Sequence, residues 1–289
     1  MKIKILIPVY NDWQSASKLV DEINNLSINP KFQLSIIIVN DASTHDRLSE
    51  DKNLENIYSF KIMNMKKNQG HARCIATGLK YIYEKENFDF VIPMDGDGED
   101  RPEEINLLLD KINNNPNIPI TANRVKRSEG IIFRFCYSIH KFLTFAFTSQ
   151  SIKFGNFTCL PKSIVGEMIL DSSLWNSFSG TLASLYKNRL SISSIRGKRY
   201  FGPSKMSFLN LLMHSISIIS VFKITVLTRC LIFLIIYLLL ISKNVSLITS
   251  IPVFLLFVIV ISVLAAGKRE NIFELEEALS NISNIEDIK

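Results

Sequence analysis

Asp95, Asp97, Glu99 and Asp100 fall within six consecutive positions of the stretch FDFVIPMDGDGEDRPE, residues 88–103. Carboxylates this close raise one another's pKa values and repel unless a cation or hydrogen-bond donors compensate them. A hard divalent ion, held partly by carboxylates and partly by the phosphate oxygens of a nucleotide, suits Asp95 and Asp97. Asp100 and Glu103 also suit capping of the helix that Pro102 would begin. That leaves Asp95 and Asp97 as the pair that needs a chemical reason.

These residues need a strand to end where they begin, and the pattern supplies one. Phe88 to Pro93 is mostly apolar, as a buried strand requires. Further buried strands are predicted at Ile3 to Val9, Leu34 to Val39, Phe60 to Met63 and Ile118 to Ala122. Between them Ala16, Leu19, Val20, Ile23 and Leu26, then Ala72, Ile75, Ala76, Leu79 and Ile82, then Ile105, Leu108, Leu109 and Ile112 recur at helical spacing. Alternating strands and helices predict an α/β fold with an open, mostly parallel sheet, whose ligands sit beyond the carboxyl ends of the strands. Asn11-Asp12, Asn40-Asp41 and Asp95-Asp97 each follow such an end, so three polar clusters should meet in one crevice.

The chain of 289 residues carries a modest formal charge of +6, which by itself does not separate nucleic acid from anionic lipid or phosphorylated substrates as the partner; no nucleic-acid partner is expected. Cys74, Cys136, Cys159 and Cys230 are far apart with no histidine at ligand spacing, which indicates neither a zinc site nor a disulfide framework and fits a reducing compartment. MKIKILIPVY has too short an apolar core, with no cleavage site after it, for a signal peptide; it reads as the first strand.

The ordered set IPVYND, VNDAS, NQGHARCIATGL and MDGDGEDRPEEI resembles the nucleotide-sugar-binding half of family 2 glycosyltransferases of the GT-A fold, a Rossmann-like architecture. RYFGPSK, residues 199–205, is similar to the RxxGxSK segment of members that glycosylate dolichyl or undecaprenyl phosphate. The resemblance implies that Pro8, Tyr10, Asp12, Asn68, Gly70, Asp95 and Arg124 bind the nucleotide sugar and that Asp41 reads the base edge. It implies Asp97 and Asp95 as ligands of Mg²⁺ or Mn²⁺, Asp95, Asp97 and Arg199 as catalytic, and Arg199, Ser204 and Lys205 as contacts of an acceptor phosphate. The sequence departs from the family pattern at Asn40, Ala42 and Asn156. Asn156 replaces a carboxylate that could act as general base, which favours an acceptor that is already anionic over a sugar hydroxyl, although Glu99 could fill that role.

Arg124, Lys126, Arg127, Arg134, Lys141 and Lys153 make residues 123–153 basic, and Ile131, Phe135, Ile139, Phe142 and Phe145 approximate a helical stripe within it. This suits either a core-facing helix or one lying on anionic lipid. WNSFSGT, residues 175–181, resembles an acceptor-side loop, while His71 and His140 read as ordinary helix residues. Residues 1–205 are therefore expected to form the catalytic domain, and 206–223 an interfacial helix with Ser207, Asn210, His214 and Ser217 as its polar stripe. Residues 224–241 and 245–266 are long enough to cross a bilayer, with 267–289 as a tail containing a short exposed helix. The link Ser242 to Asn244 forces a hairpin. Lys205, Lys223 and Arg229 before it and Lys268 and Arg269 after it, against Lys243 in the turn, place the catalytic domain and both termini in the cytoplasm, as in a bacterial inner membrane.

The expectation is a membrane-anchored, inverting transferase moving a sugar from a nucleotide-diphosphate sugar to a polyprenyl phosphate for a cell-surface glycan. Elongation of a lipid-linked glycan through a hydroxyl, or a catalytically silent membrane-anchored binding protein of this fold, are the alternatives. Two spans are too few for a polymer channel, and a hairpin anchor leaves a homo-oligomer open.

Overall fold

The computed structural model describes residues 1–45, 47, 53–126, 144–202 and 208–289. An eight-stranded sheet has the order β7-β5-β6-β4-β1-β2-β3-β8. In chain order the strands are β1 (Lys2–Val9), β2 (Gln33–Asn40), β3 (Ser59–Met65), β4 (Phe90–Pro93), β5 (Ile120–Lys126), β6 (Phe154–Pro161), β7 (Leu190–Ile195) and β8 (Ile282–Asp287). The central four, β4-β1-β2-β3, run parallel, as their near-continuous apolar sequences require. β6 is antiparallel to β4 and β5, and β8 is antiparallel to β3.

Side chains alternate across the sheet and build a core on each face. Ile3, Ile5 and Ile7 pack on one face beneath α1 (Trp13–Asn24) and α3 (Glu104–Asn114). Leu6, Ile37 and Val91 pack on the other, beneath α2 (His71–Lys85), α4 (Lys162–Met168) and α5 (Phe178–Leu185). The strands and helices predicted up to residue 122 all form. Lys4, on the largely buried β1, is accommodated because Glu86 pairs with it at 2.7 Å while also taking Lys61 at 2.9 Å.

Three long or apolar helices follow β7: α6 (Phe208–Ser220), α7 (Lys223–Ile241) and α8 (Leu247–Gly267). α7 and α8 are long and apolar enough to cross a membrane, and most of their residues face outward. Ser246 caps α8 reciprocally with Thr249, which fixes the tight turn between the two. Arg229 donates to the carbonyl of Ala146 at 2.6 Å and to Ser149, so it ties α7 to residues 144–149. On α6 the expected polar stripe splits. Asn210 and His214 are exposed, but Ser217 is buried with Ser215 and Ser220, while Leu209, Leu212 and Met213 face outward. The helix turns its small hydroxyl residues toward protein because small side chains let helices approach closely.

The tail differs from the expected exposed helix. A short α9 (Ile272–Glu276) and a 3₁₀ turn bury Leu275 and Ala278, and the chain then adds β8 to the edge of the sheet. Of the acids that read as a solvated helix, the adjacent Glu286 and Asp287 instead end an edge strand, where charge discourages further strand pairing.

Candidate functional site

The carboxyl ends of β1, β2 and β4 bring the predicted polar clusters to one crevice. Pro8 is buried at the end of β1, Tyr10 is exposed at its mouth, and Asp12 opens α1, accepting from Ser15 at 2.7 Å. After β4, Asp95 and Asp97 lie part-exposed in the turn, and Gly98 takes φ +86, a conformation that favours glycine. A Cβ at Gly98 would lie 2.5 Å from the Tyr200 ring.

Residues 195–200 lie against this turn from the far end of the domain. Gly197 donates its N–H to the carbonyl of Glu99 at 2.8 Å, and Tyr200 to that of Asp97 at 3.0 Å. Arg199 then bridges two carboxylates, with one nitrogen 2.5 Å from Asp97 and another 2.7 Å from Asp12. Its Nε is buried without a partner. Arg196 pairs with Glu99, and the Tyr200 hydroxyl with Glu22. Asp12, Asp97 and Arg199, separated by up to 187 positions, are therefore in direct contact.

Asp95 makes a different set of contacts. His71, the first residue of α2, approaches it at 3.3 Å, and Asn156 on β6 donates to it at 3.1 Å. Burial alone would raise the Asp95 pKa, but the hydrogen bond and charge of His71, with Arg124 and Asn156, hold it well below the usual carboxylate range. For His71 burial acts to lower the pKa, and the bond and charge of Asp95 outweigh it, so the imidazole is held above its ordinary value. Burial and the charge of Asp95 raise Asp97. The same two causes push Asp100 up to about 7.

Asp100 and Glu103 do not cap α3. Asp100, 3 % exposed, accepts from the N–H of Asp95 at 3.0 Å and faces Arg124 at 3.5 Å, so it shapes the turn. Glu103 caps nothing with its side chain. Glu104 instead turns inward and takes the N–H of Ile195 at 2.9 Å. Asp41, 4 % exposed, accepts from the N–H groups of Gln69 and Gly70 at 2.6 and 2.9 Å, so it braces the start of α2, while Asn68 stands exposed beside it. Ser204, Lys205, Arg127, His140 and most of the basic aromatic stripe lie outside the described residues, as does Cys136.

Sequence reasoning passed over His71, Arg196, Glu22 and Glu104. For His71 the available signal was its place within the NQGHAR motif; for Arg196 it was its place in the basic run RGKR. WNSFSGT is largely structural: Asn176 donates to Ser220 at 2.9 Å and to the Ala266 carbonyl at 3.2 Å, joining α6 to the end of α8.

The donor chemistry fits a hard divalent ion. Asp95 and Asp97 offer carboxylate oxygens, and among the described residues no group of three or more acidic, histidine or cysteine side chains gathers for a metal. Such an ion would complete its shell with water and substrate phosphate oxygens, the habit of Mg²⁺ in nucleotide sites.

The family model described as glycosyl transferase family 2 matches residues 4–164. The chain belongs to this family. Curated relatives include the undecaprenyl-phosphate 4-deoxy-4-formamido-L-arabinose transferases of Klebsiella pneumoniae, 24% identical over 218 residues, and of Proteus mirabilis, 26% identical over 219. Each match covers 73% of this family 2 chain and spans only 64% of the relative's length. Among solved structures, S. aureus TarS 1-349 with UDP-GlcNAc has a TM-score of 0.54 at 14% identity, covering 97% of this chain and 88% of that one. The mannosyltransferase PcManGT of Pyrobaculum calidifontis with GDP-Man and Mn²⁺ has a TM-score of 0.52 at 12% identity, covering 93% and 86%. These likenesses establish the GT-A fold of the family 2 chain.

Proposed function

We propose that the chain transfers a sugar from a nucleotide-diphosphate sugar to a polyprenyl phosphate at a membrane surface, with inversion and with Mg²⁺ or Mn²⁺ as cofactor. The observation that carries this reading is the bridge of Arg199 to Asp12 and Asp97. It sets a guanidinium at the nucleotide crevice nine residues before the apolar α6, which leads into α7 and α8. The names of the curated relatives support the acceptor class, and the TarS and PcManGT complexes support the donor class.

Asp95 and Asp97 would hold the divalent ion, which when bound neutralises the diphosphate leaving group. Asp12 and the Asp41-braced turn orient the nucleotide. Arg199 holds an acceptor phosphate with paired N–H groups. A phosphate oxygen of the acceptor bonds to the anomeric carbon as that carbon's bond to the diphosphate oxygen breaks, and the nucleoside diphosphate departs with the electron pair. An ionised phosphate needs no proton removed, which suits an amide at Asn156.

Incubating membranes containing the protein with radiolabelled nucleotide sugars and undecaprenyl phosphate should carry one label into the lipid fraction, dependent on the added lipid and lost with a chelator. Incorporation only into a supplied lipid-linked glycan would replace this reading by a hydroxyl acceptor. Tight sugar-nucleotide binding without transfer to either would mean a silent binding protein. The lysine and arginine asymmetry supports a cytoplasmic catalytic domain with both termini on the same side, and the pairing of β8 with β3 supports both ends of the hairpin lying on one side. Cysteine labelling from outside should reach position 243 and fail at position 289; the reverse would overturn the orientation.

A further inference from the structure

The last strand of the chain reaches the crevice through a continuous run of hydrogen bonds. Glu286, on β8, accepts from the Asn64 amide at 2.6 Å, and Asn64 accepts in turn from the Asn40 amide at 2.8 Å. The Asn40 side-chain oxygen takes the N–H of Ser43 at 3.0 Å, and the Ser43 hydroxyl takes the N–H of Asn11 at 2.9 Å. Asn11 closes the loop by accepting from the N–H groups of Thr44 and His45 at 2.8 and 3.1 Å. The second oxygen of Glu286 pairs with Arg47 at 2.9 Å, four residues after Ser43.

The segments so joined hold two non-glycine residues in left-handed conformations, Asn11 at φ +52 and Ala42 at φ +53. Such residues persist only where the surroundings over-determine them. Asn11 adjoins Asp12, and Ala42 adjoins Asp41, so the strained positions flank two residues of the crevice.

We propose that Glu286 is a positioning residue for nucleotide-sugar binding: from the edge strand it anchors the loop after β2 and, through that loop, the turn after β1. This rests on the reading of the crevice as the nucleotide-sugar site. Glu286 lies beyond the membrane hairpin in sequence. The loop is therefore braced only after the chain has passed through α7 and α8 and returned, which ties order in the crevice to completed insertion.

The test uses the full chain purified in detergent. Glu286→Ala and Asn64→Ala break the run from its two sides, and each should raise KM for the nucleotide sugar about tenfold, the size of one charged hydrogen bond, with kcat within about twofold. The loss in the double variant should be less than additive, because the two singles share the loss of the Glu286–Asn64 bond. Glu286→Gln keeps an acceptor for Asn64 and should recover most of the affinity. Asp287→Ala, on the same strand and facing Lys61, should leave KM unchanged. Hydrogen exchange gives a readout independent of turnover: the amides of Ser43, Thr44 and His45 should exchange faster in both alanine variants while β3 and β8 stay protected. Unchanged exchange at these three amides, or loss of protection along the whole of β8, would overturn the proposal. If the parent binds no nucleotide sugar, the functional reading fails, and the exchange comparison still decides whether Glu286 orders the loop.

Discussion

On the strand-end wall of the crevice, Asp41 is held by backbone N–H groups at the start of α2 and Asp100 by one within its own turn, whereas on the facing wall Arg196, Arg199 and Tyr200 are held by carboxylates across the gap. The first wall keeps its shape by short-range bonds of its own. The second is fixed mainly by charge-assisted contacts with the first, together with the two backbone bonds at Gly197 and Tyr200. Substitutions on the strand-end wall should therefore damage chemistry and spare the fold, while those on the facing wall should shift a segment and with it the acceptor side.

The largest expected effect tests the first half of that contrast. Asp97→Asn keeps the shape and the bond from the Glu99 N–H but removes a negative charge where the proposed cation would bind. Transfer should fall on the order of a hundredfold or more, with far-ultraviolet circular dichroism and thermal midpoint close to the parent's. Activity within a few-fold of the parent, with unchanged metal dependence, would remove Asp97 as a ligand.

Arg199→Ala addresses the facing wall. Transfer to polyprenyl phosphate should drop about a hundredfold, because a paired charged contact worth several kcal/mol is lost, while nucleotide-sugar affinity stays near the parent's. Arg199→Lys should recover only part, since a lysine cannot span Asp12 and Asp97 with a planar fork. Parent-like acceptor kinetics in Arg199→Ala would withdraw the lipid-phosphate acceptor in favour of a hydroxyl.

A stability measurement away from the crevice provides the reference. Burial would raise the Glu86 pKa, but the bonds from Lys4 and Lys61 outweigh it and hold it low; Lys61 is held above its ordinary value by the Glu86 bond, against the opposing effect of burial. A depressed carboxylate stabilises the fold above its unfolded pKa, and a raised lysine does so below its own. The cluster should thus contribute fully between about pH 5 and pH 10, and fade as pH falls through the folded value of Glu86. Glu86→Gln leaves the buried Lys4 without its carboxylate, while the part-buried Lys61 keeps Asp287, and should cost about 3 kcal/mol in urea titrations at pH 7. An equal cost at pH 3, where the parent's advantage should have shrunk, would refute the electrostatic origin.

The strand-end wall was legible because its residues are sequence-local. Apolar runs ended by Asn11-Asp12, Asn40-Asp41 and Asp95-Asp97 announce strand ends, and parallel strands bring their ends together. Roles within the cluster were less legible. Asp95, Asp97 and Asp100 share one chemistry, and only the fold shows that Asp100 takes the N–H of Asp95 while Asp97 meets Arg199. His71 read as a helix residue and is one; its partner Asn156 lies 85 positions away. β8 escaped notice because an edge strand bearing Glu286 and Asp287 carries too few apolar residues to show an alternating pattern, and helical spacing of Leu275, Leu279 and Ile282 offered a simpler reading.

The smallest effect separates position from chemistry on the facing wall. The Tyr200 ring packs against Gly98 and lies under the Lys18 ammonium at 4.5 Å, while its hydroxyl meets Glu22. Burial and the Glu22 carboxylate both push the phenol pKa above its ordinary value, so the group stays neutral and donates. Tyr200→Phe keeps the ring and removes only that donation, and Glu22 retains Lys18 nearby. The loss should be about 1 kcal/mol of stability, with transfer within twofold of the parent. Tyr200→Ala removes the surface on which the acidic turn rests and should displace Arg199, lowering transfer about tenfold, as misplacement of a positioning group does. A Phe variant as impaired in transfer as the Ala variant would mean that the hydroxyl takes part in the reaction, and the facing wall would then hold a second functional group beside Arg199.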